Sequence, residues 1–462
     1  MSVMDLKGKK VLVVGLARTG VGAVRFLVAK GARVKVTEIK KAEELRAPLE
    51  ALRGLPVEWE LGGHTIPFSL DAELIVVSPG VPLSIPTLAK AREEGIPVVS
   101  EVELAFWFLR RPLVAITGTN GKTTTTTLIG EMLQGSGKRA FVGGNIGNPL
   151  INFVSGPQEE EWGVVELSSY QLEGIQKFRP AVSVLLNITE DHLDRYPSFQ
   201  AYGEAKGRIF ANQEKEDHAV LNADDPLTFA FAHRIDPQIL LFSRERSVPA
   251  GCSLDRGAIL FQGADGQRER FPLERLKIRG AHNLENLMAA IAASKACGCP
   301  REPLQEVIET FEGLEHRLEG VRDLEGVKFF NDSKGTNVGS VVKSLISFEE
   351  PVLLIAGGRD KEGDYGPLKG LVSGRVKGMA LIGEAKERMF GALGNLTETV
   401  KLGSLEEAVE WVWSKARPGD VVLLSPACSS FDMFENYQER GRRFKEIVRG
   451  LRGKSAPCEE KR

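Results

Sequence analysis

Ile116-Thr117-Gly118-Thr119-Asn120-Gly121-Lys122-Thr123-Thr124 is the stretch whose reading decides the rest of the chain. It follows an apolar, β-prone run, Leu113-Val114-Ala115-Ile116, and leads into a segment carrying Leu128, Ile129 and Leu133, which reads as a helix. Strand, glycine-rich turn, Lys-Thr and helix is the order a phosphate cradle needs. Glycines let backbone N–H groups turn inward around an anion, and the helix N-terminus adds the positive end of its dipole. Lys122 can reach the β- and γ-phosphates of a nucleotide, and Thr123 can hold Mg²⁺ through its hydroxyl. Ile116 stands where the full phosphate-loop pattern has its first glycine, so the loop is a shortened form, Gly118-x-x-Gly121-Lys122-Thr123. The threonines at 123–127 are poor helix formers, so local propensity did not select them. An ordinary turn before a helix is the bland alternative. Strand context, both glycines and Lys-Thr together favour phosphate binding.

Upstream, Lys10-Val11-Leu12-Val13-Val14-Gly15 reads as a buried strand running into a glycine. A helix with Val24, Phe26, Leu27 and Val28 follows, Gly31 stops it, and residues 33–37 form a second strand ending beside Glu38. This β-α-β unit is expected to be parallel and right-handed. Its loop, Gly15-Leu16-Ala17-Arg18-Thr19-Gly20, fails the dinucleotide fingerprint at Ala17, where a glycine would let backbone approach a pyrophosphate. A third strand, 74–77, ends in Ser78-Pro79-Gly80-Val81-Pro82. Strand ends of open α/β sheets gather where ligands bind. These residues alone suit a nucleotide-type ligand other than NAD, or no ligand at all.

Downstream, strands at 162–165 and 181–186 end in polar loops, Glu166-Leu167-Ser168-Ser169-Tyr170-Gln171 and Asn187-Ile188-Thr189-Glu190-Asp191-His192. Alternation of strands with helices predicts a mostly parallel sheet. Glu166 with Thr123 is a sensible oxygen pair for Mg²⁺. His192, in an acidic loop, reads on its own more readily as a cap or hydrogen-bonding partner than as a ligand. Tyr202, Lys206 and Ile209 share a helical face, so Lys206 sits among apolar residues, with a snorkelling lysine as the plain alternative. Asn283 and Asn286 share a face at the start of an alanine-rich helix, where an N-cap is the plain alternative. In the last third, strands at 327–330, 351–356, 379–382 and 420–424 predict another doubly wound layer. Its loop ends carry Arg317, Lys334 and Lys361 among several hydroxyls, a rim suited to anions.

At 462 residues the chain exceeds one core, and the expected segments are 1–110, 111–312 and 313–453, with a frayed tail at 454–462. A formal net charge of −2 gives no basic field for nucleic acid. Five scattered cysteines, Cys252, Cys297, Cys299, Cys428 and Cys458, fit free thiols in a reducing, cytoplasmic setting. No apolar leader or membrane-length run is read in the sequence.

The chain resembles the ATP-dependent Mur ligases of peptidoglycan synthesis over nearly its whole length. The resemblance rests on the shortened loop from Thr117 to Thr123 and on Asn-Ile-Thr-Glu-Asp-His-Leu-Asp-Arg-Tyr-Pro at 187–197. Three further stretches, at 166–173, 331–337 and 424–432, are similar to the branch that adds D-glutamate, and the Asp-Asn-Pro-Arg signature of the diaminopimelate-adding branch is absent. The resemblance implies an α/β fold of three domains: a Rossmann-like domain binding UDP, a central phosphate-loop domain binding ATP, and a Rossmann-like domain binding the amino acid. It implies small-molecule substrates, UDP-N-acetylmuramoyl-L-alanine, D-glutamate and ATP, with no nucleic-acid or membrane partner. Catalysis would fall to Lys122, Glu166, His192 and Lys206. Two Mg²⁺ ions would be held by Thr123, Glu166, His192 and a carbamylated Lys206. Gly118, Thr119, Asn120, Gly121, Lys122, Thr123, Thr124, Asn283, Asn286, Arg317, Asp332 and Lys334 would hold ATP. Thr19, Glu38 and Gly80 would face the uridine diphosphate, although the family commonly has Asp at the place of Glu38. Asn145, Ser168, Gln171 and His192 would hold the sugar and peptide end. Thr336, Lys361, Ser430 and Tyr437 would hold the amino acid, with a Phe familiar at the place of Tyr437. Folylpolyglutamate synthetase shares such an ATP loop but lacks the first domain, and a nucleotide-binding scaffold with a dead site would not need these side chains intact.

Overall fold

The computed structural model describes residues 4–191, 195–360 and 363–454. The chain divides into two compact units. One comprises the residues up to Arg275 together with Glu285–Thr310, the other Leu276–Leu284 with the residues from Phe311 onward.

The first unit holds two sheets. In the first, β1 (Lys10–Val14), β2 (Arg33–Glu38), β3 (Val57–Leu61), β4 (Leu74–Val77) and β5 (Val98–Ser100) are all parallel, in the order β3-β2-β1-β4-β5. The order reverses at β1, so the loops after β1 and β4 emerge side by side. Ser78 Oγ closes that seam by donating to the Gly15 carbonyl at 2.8 Å. The second sheet contains β6 (Leu113–Thr117), β7 (Ala140–Gly144), β8 (Trp162–Glu166), β9 (Val182–Leu185), β10 (His218–Asn222), β11 (Gln238–Ser243), β12 (Gly251–Asp255), β13 (Ala258–Gln262) and β14 (Arg268–Pro272). Their order is β14-β13-β12-β11-β10-β9-β6-β8-β7, which places β6 between β9 and β8. The phosphate-type loop therefore emerges flanked by the loops carrying Glu166 and Asn187. The parallel strands are apolar runs because helices cover both faces of such a sheet.

One element differs from the sequence expectation. β12, β13 and β14 pair antiparallel, as two hairpins that extend the parallel part of the sheet. In β14 burial alternates, with Arg268 and Arg270 exposed and Glu269 and Phe271 turned inward, because one face is open to water.

One apolar core runs under both sheets of this unit, from Leu6 and Val11 through Ala115 to Phe231, and another, around Leu12 and Ile75, covers the first sheet. The helix Glu101–Phe106 leaves β5 and joins the two layers. Glu103 lies buried in it and accepts the backbone N–H groups of Gln176, Lys177 and Phe178 at 2.8, 2.8 and 2.9 Å. Three convergent donors satisfy a carboxylate that burial alone would penalise heavily.

The second unit has β15 (Glu319–Leu324), β16 (Val327–Asn331), β17 (Val352–Gly357), β18 (Val376–Ile382), β19 (Glu398–Lys401) and β20 (Val421–Leu424), ordered β15-β16-β20-β17-β18-β19. Only β15, among the described strands of this sheet, runs antiparallel to its neighbour. Apolar cores lie on both faces, around Leu354 on one side and Val409 on the other.

Candidate active site

The loop after β6 is fixed by two glycines in conformations that side chains avoid. Gly118 has φ +148°, and a Cβ there would meet the Leu186 Cβ at 3.0 Å. Gly121, at φ +88°, caps the helix Lys122–Gly135, and a Cβ there would lie 2.1 Å from Asn286 Oδ1. The 187–189 segment straps the loop. Thr119 N–H donates to the Asn187 carbonyl at 2.9 Å, Asn120 N–H to Asn187 Oδ1 at 2.9 Å, and Thr189 N–H to Thr119 Oγ1 at 3.0 Å. The threonine run is helical because it is buried. Thr124, Thr125 and Thr126 are inside, and Thr127 Oγ1 donates back to the Thr123 carbonyl at 3.0 Å, which satisfies its hydroxyl within the helix.

Two lysines converge on this loop. Lys122 Nζ donates to the carbonyls of Gly118 and Thr119 at 2.8 and 2.9 Å. Lys206 Nζ donates to the same Gly118 carbonyl at 2.9 Å and lies 4.5 Å from the Tyr202 ring centroid. Lys206 is only 2% exposed, so the bland alternative of a snorkelling lysine does not hold: its head is buried with its stem. Burial first, then the Lys122 charge, hold its ammonium well below the usual lysine range, against the opposing pull of Asp191 and Glu166.

Glu166, at the end of β8, accepts from Thr123 Oγ1 at 2.8 Å and from Asn145 Nδ2 at 2.9 Å. Thr123 and Glu166 thus present hydroxyl and carboxylate oxygens together, a donor set that suits Mg²⁺. Pro79, Gly80, Thr119, Lys122, Asn145, Ser168, Asp191 and Lys206 line one cavity of about 280 Å³. The structure therefore brings together residues that the sequence spreads from Gly80 to Lys206.

Other expected residues have roles the fold itself explains. Ser168 and Gln171 form a reciprocal cap on the helix Ser169–Glu173, with the Ser168 N–H donating to Gln171 Oε1 at 3.0 Å. Glu38 is buried and accepts the N–H groups of Leu16 and Lys40 at 2.6 and 3.1 Å, so it orders the loop after β1. Thr19 lies in the first turn of the helix Arg18–Ala29. Asn286 is buried against Gly121, whereas Asn283 Nδ2 donates to the Arg279 carbonyl at 2.8 Å. His192 and Lys361 lie outside the described residues.

In the second unit, Asp332 is buried and accepts from Ser344 and Ser425 hydroxyls, both at 2.7 Å. Burial pushes its carboxyl up to about 6, against those hydroxyls and the Arg317 charge. Lys334 Nζ lies 5.2 Å from the Tyr437 ring centroid, and Thr336 N–H donates to the Lys334 carbonyl at 2.8 Å. Ser430 is buried, and its carbonyl accepts from Phe434 N–H at 2.8 Å.

Sequence reasoning missed Arg440. It is almost wholly buried, and its guanidinium donates to the carbonyls of Ser333, Cys428 and Ser429 at 2.9, 3.2 and 3.4 Å. It thereby joins two of the stretches that carried the resemblance. In the sequence it stands in Glu439-Arg440-Gly441-Arg442-Arg443, where neighbouring arginines hide it. Asn187, the strap of the phosphate-type loop, was legible only as a polar residue at a strand end. Cys252, Cys297, Cys299 and Cys428 are free and buried, as expected.

Three family models cover the chain in order: Mur ligase MurD-like N-terminal domain at 9–100, Mur ligase middle domain at 116–294, and Mur ligase glutamate ligase domain at 316–428. The chain belongs to the Mur ligase family and is a ligase. Within it, the UDP-N-acetylmuramoylalanine--D-glutamate ligase of Geobacter sp. (strain M21) is 55% identical over 98% of this chain and 100% of its own. The protein of the same name from Syntrophus aciditrophicus (strain SB) is 46% identical over the same shares. Among solved structures, the pseudomurein peptide ligase type C of Methanothermus fervidus matches with TM-score 0.61 at 20% identity, covering 96% of this chain and all of that one. The UDP-N-acetylmuramate-alanine ligase of Thermotoga maritima matches with TM-score 0.58 at 22% identity, over 96% and 99%. These two likenesses bear on the fold. No helix among the described residues is long and apolar enough to cross a membrane.

Proposed function

We propose that the chain joins D-glutamate to UDP-N-acetylmuramoyl-L-alanine at the expense of ATP, in peptidoglycan precursor synthesis. The observation that carries the site assignment is the cavity in which Lys122 and Lys206 meet at Gly118, beside the Thr123–Glu166 pair. The relatives' shared name, over their full length, supports the choice of amino acid and acceptor. The segments are assigned as UDP site at 1–110, ATP site at 111–312 and amino-acid site at 313–453, with Thr336, Ser430 and Tyr437 toward the amino acid.

An amide does not form from a carboxylate and an amine without activation. The alanine carboxylate attacks the γ-phosphorus of ATP in line, the bond to the β-phosphate oxygen breaks, and an acyl phosphate and ADP result. The glutamate amine then attacks the acyl carbon, losing a proton as phosphate leaves. Both steps need charge neutralised and groups aligned. Lys122, at the helix N-terminus, does this for the phosphates. Thr123 and Glu166 would hold Mg²⁺, which when bound supplies further neutralisation. A second Mg²⁺ needs another anionic ligand, and an ammonium cannot serve. Lys206 is buried and its amine is held well below the usual lysine range, which favours the neutral form that carbamylation by dissolved CO₂ requires. Asn145 and Ser168 would orient the sugar and its alanine, and Gly80 would face the uridine diphosphate, along the same cavity.

The test is ADP release measured with and without UDP-N-acetylmuramoyl-L-alanine, Mg²⁺ and D-glutamate. Release should need the first two, and D-glutamate should complete turnover. Equal ATP hydrolysis without the sugar nucleotide would sink the assignment.

A further inference from the structure

Arg195 takes no part in the chemistry above. Its guanidinium lies 3.8 Å from the Tyr170 ring centroid, a stacking distance. Nη1 donates to the Pro79 carbonyl and Nη2 to the Val81 carbonyl, both at 3.3 Å. Nη2 also meets Glu173 Oε2 at 3.3 Å, and the Tyr196 phenol holds the other Glu173 oxygen. The gripped carbonyls flank Gly80, the residue that brings the first sheet's β4 loop to the wall of the cavity. Behind Arg195 the rings of Tyr170, Tyr196 and Tyr202 follow one another at 6.1 and 5.3 Å between centroids. Tyr202 in turn lies under Lys206. A continuous strut therefore connects the loop on the nucleotide side to the lysine on the reacting side.

We propose that Arg195 is a positioning residue that fixes the distance between the nucleotide end and the carboxylate end of the bound substrate. A planar fork can reach two carbonyls and stack at once, which an ammonium cannot. The inference rests on the functional reading above for the identity of the substrate. It does not depend on Arg195 touching that substrate.

A ligand spanning both ends must feel the spacing, whereas a ligand confined to one end must not. Arg195→Ala should lower kcat/KM for UDP-N-acetylmuramoyl-L-alanine on the order of 10- to 100-fold, the scale of a misplacement near 1 Å. Calorimetric affinities for UDP alone and for ATP should stay at the wild-type values. Arg195→Lys, which keeps the charge without the fork, should show the same selective loss to a smaller degree, and serves if the alanine variant does not fold. Wild-type kcat/KM in the lysine variant, or parallel losses of UDP, ATP and substrate binding in a folded variant, would overturn the proposal. A wild-type enzyme with no sugar-nucleotide-dependent ADP release would instead remove the functional reading.

Discussion

Two loops of the first unit share one plan and have opposite polarity. The loop after β1 and the loop after β6 each leave a buried parallel strand, turn on glycines at positive φ and enter a helix. In the first, a carboxylate from the neighbouring strand, Glu38, already occupies the N–H groups of Leu16 and Lys40. In the second, two lysine heads, those of Lys122 and Lys206, donate to one carbonyl, that of Gly118. A strand–loop–helix unit is thus a generic anion site only until side chains modify it. In the reading proposed above, the first loop meets a ligand edge that donates hydrogen bonds and the second meets phosphate.

The largest effect expected from this contrast is at Lys122. Lys122→Ala should reduce turnover by about 100- to 1,000-fold, the range for losing one preorganised charge contact to a transition state. UDP-sugar affinity by calorimetry should survive, and its loss would mean that the two loops are not separate sites.

Lys206→Ala follows, with a fall of about 100-fold or more if a carbamate supplies charge there. Acetate or formate should restore part of the rate, and bicarbonate-free wild type should slow. A packing role alone would cost roughly 1 kcal/mol of stability and little rate.

Glu38→Ala addresses the other loop. It strips the carboxylate from Leu16 and Lys40 and should weaken UDP binding by roughly tenfold, while ATP affinity holds. Unchanged UDP affinity would show that Glu38 merely shapes backbone.

The smallest effect concerns a buried carboxylate that lacks such donors. Glu101 accepts only the Ile151 N–H, at 2.7 Å, among described partners, and its second oxygen is unpartnered. Burial pushes its carboxyl up from 4.5 to about 7. The folded chain therefore binds more protons than the unfolded one between those values, and this group's contribution to stability falls as pH rises through them. Glu101→Gln cannot titrate. Its stability relative to wild type should climb by up to about 1.4 kcal/mol per pH unit across that window and stay flat below it. Urea unfolding at pH 5 and pH 8 reads the difference.

What could be read in advance follows the same physics. The strands β1, β6, β9 and β17 announced themselves as apolar runs because both faces are covered. The β12–β14 hairpins did not, since alternation over five residues is a weak signal beside the surrounding parallel pattern. Lys122 and Glu166 were legible because loop chemistry is local. The burial of Lys206 was not, because the Gly118 carbonyl it reaches is distant in the chain and only the sheet order brings the two together. Arg195 and Arg440 were invisible for a related reason: an arginine that organises carbonyls looks, in sequence, like any surface charge.

The tyrosine column also gives the molecule an optical signature. Of the five tyrosines in the chain, Tyr170, Tyr196 and Tyr202 form a contiguous row of rings beside Lys206, the first pair stacked and the second tilted. Burial drives the phenols of Tyr196 and Tyr202 well above the usual range, as it does that of Tyr365 in the second unit. In an alkaline absorbance titration these phenols should ionise later than an exposed one.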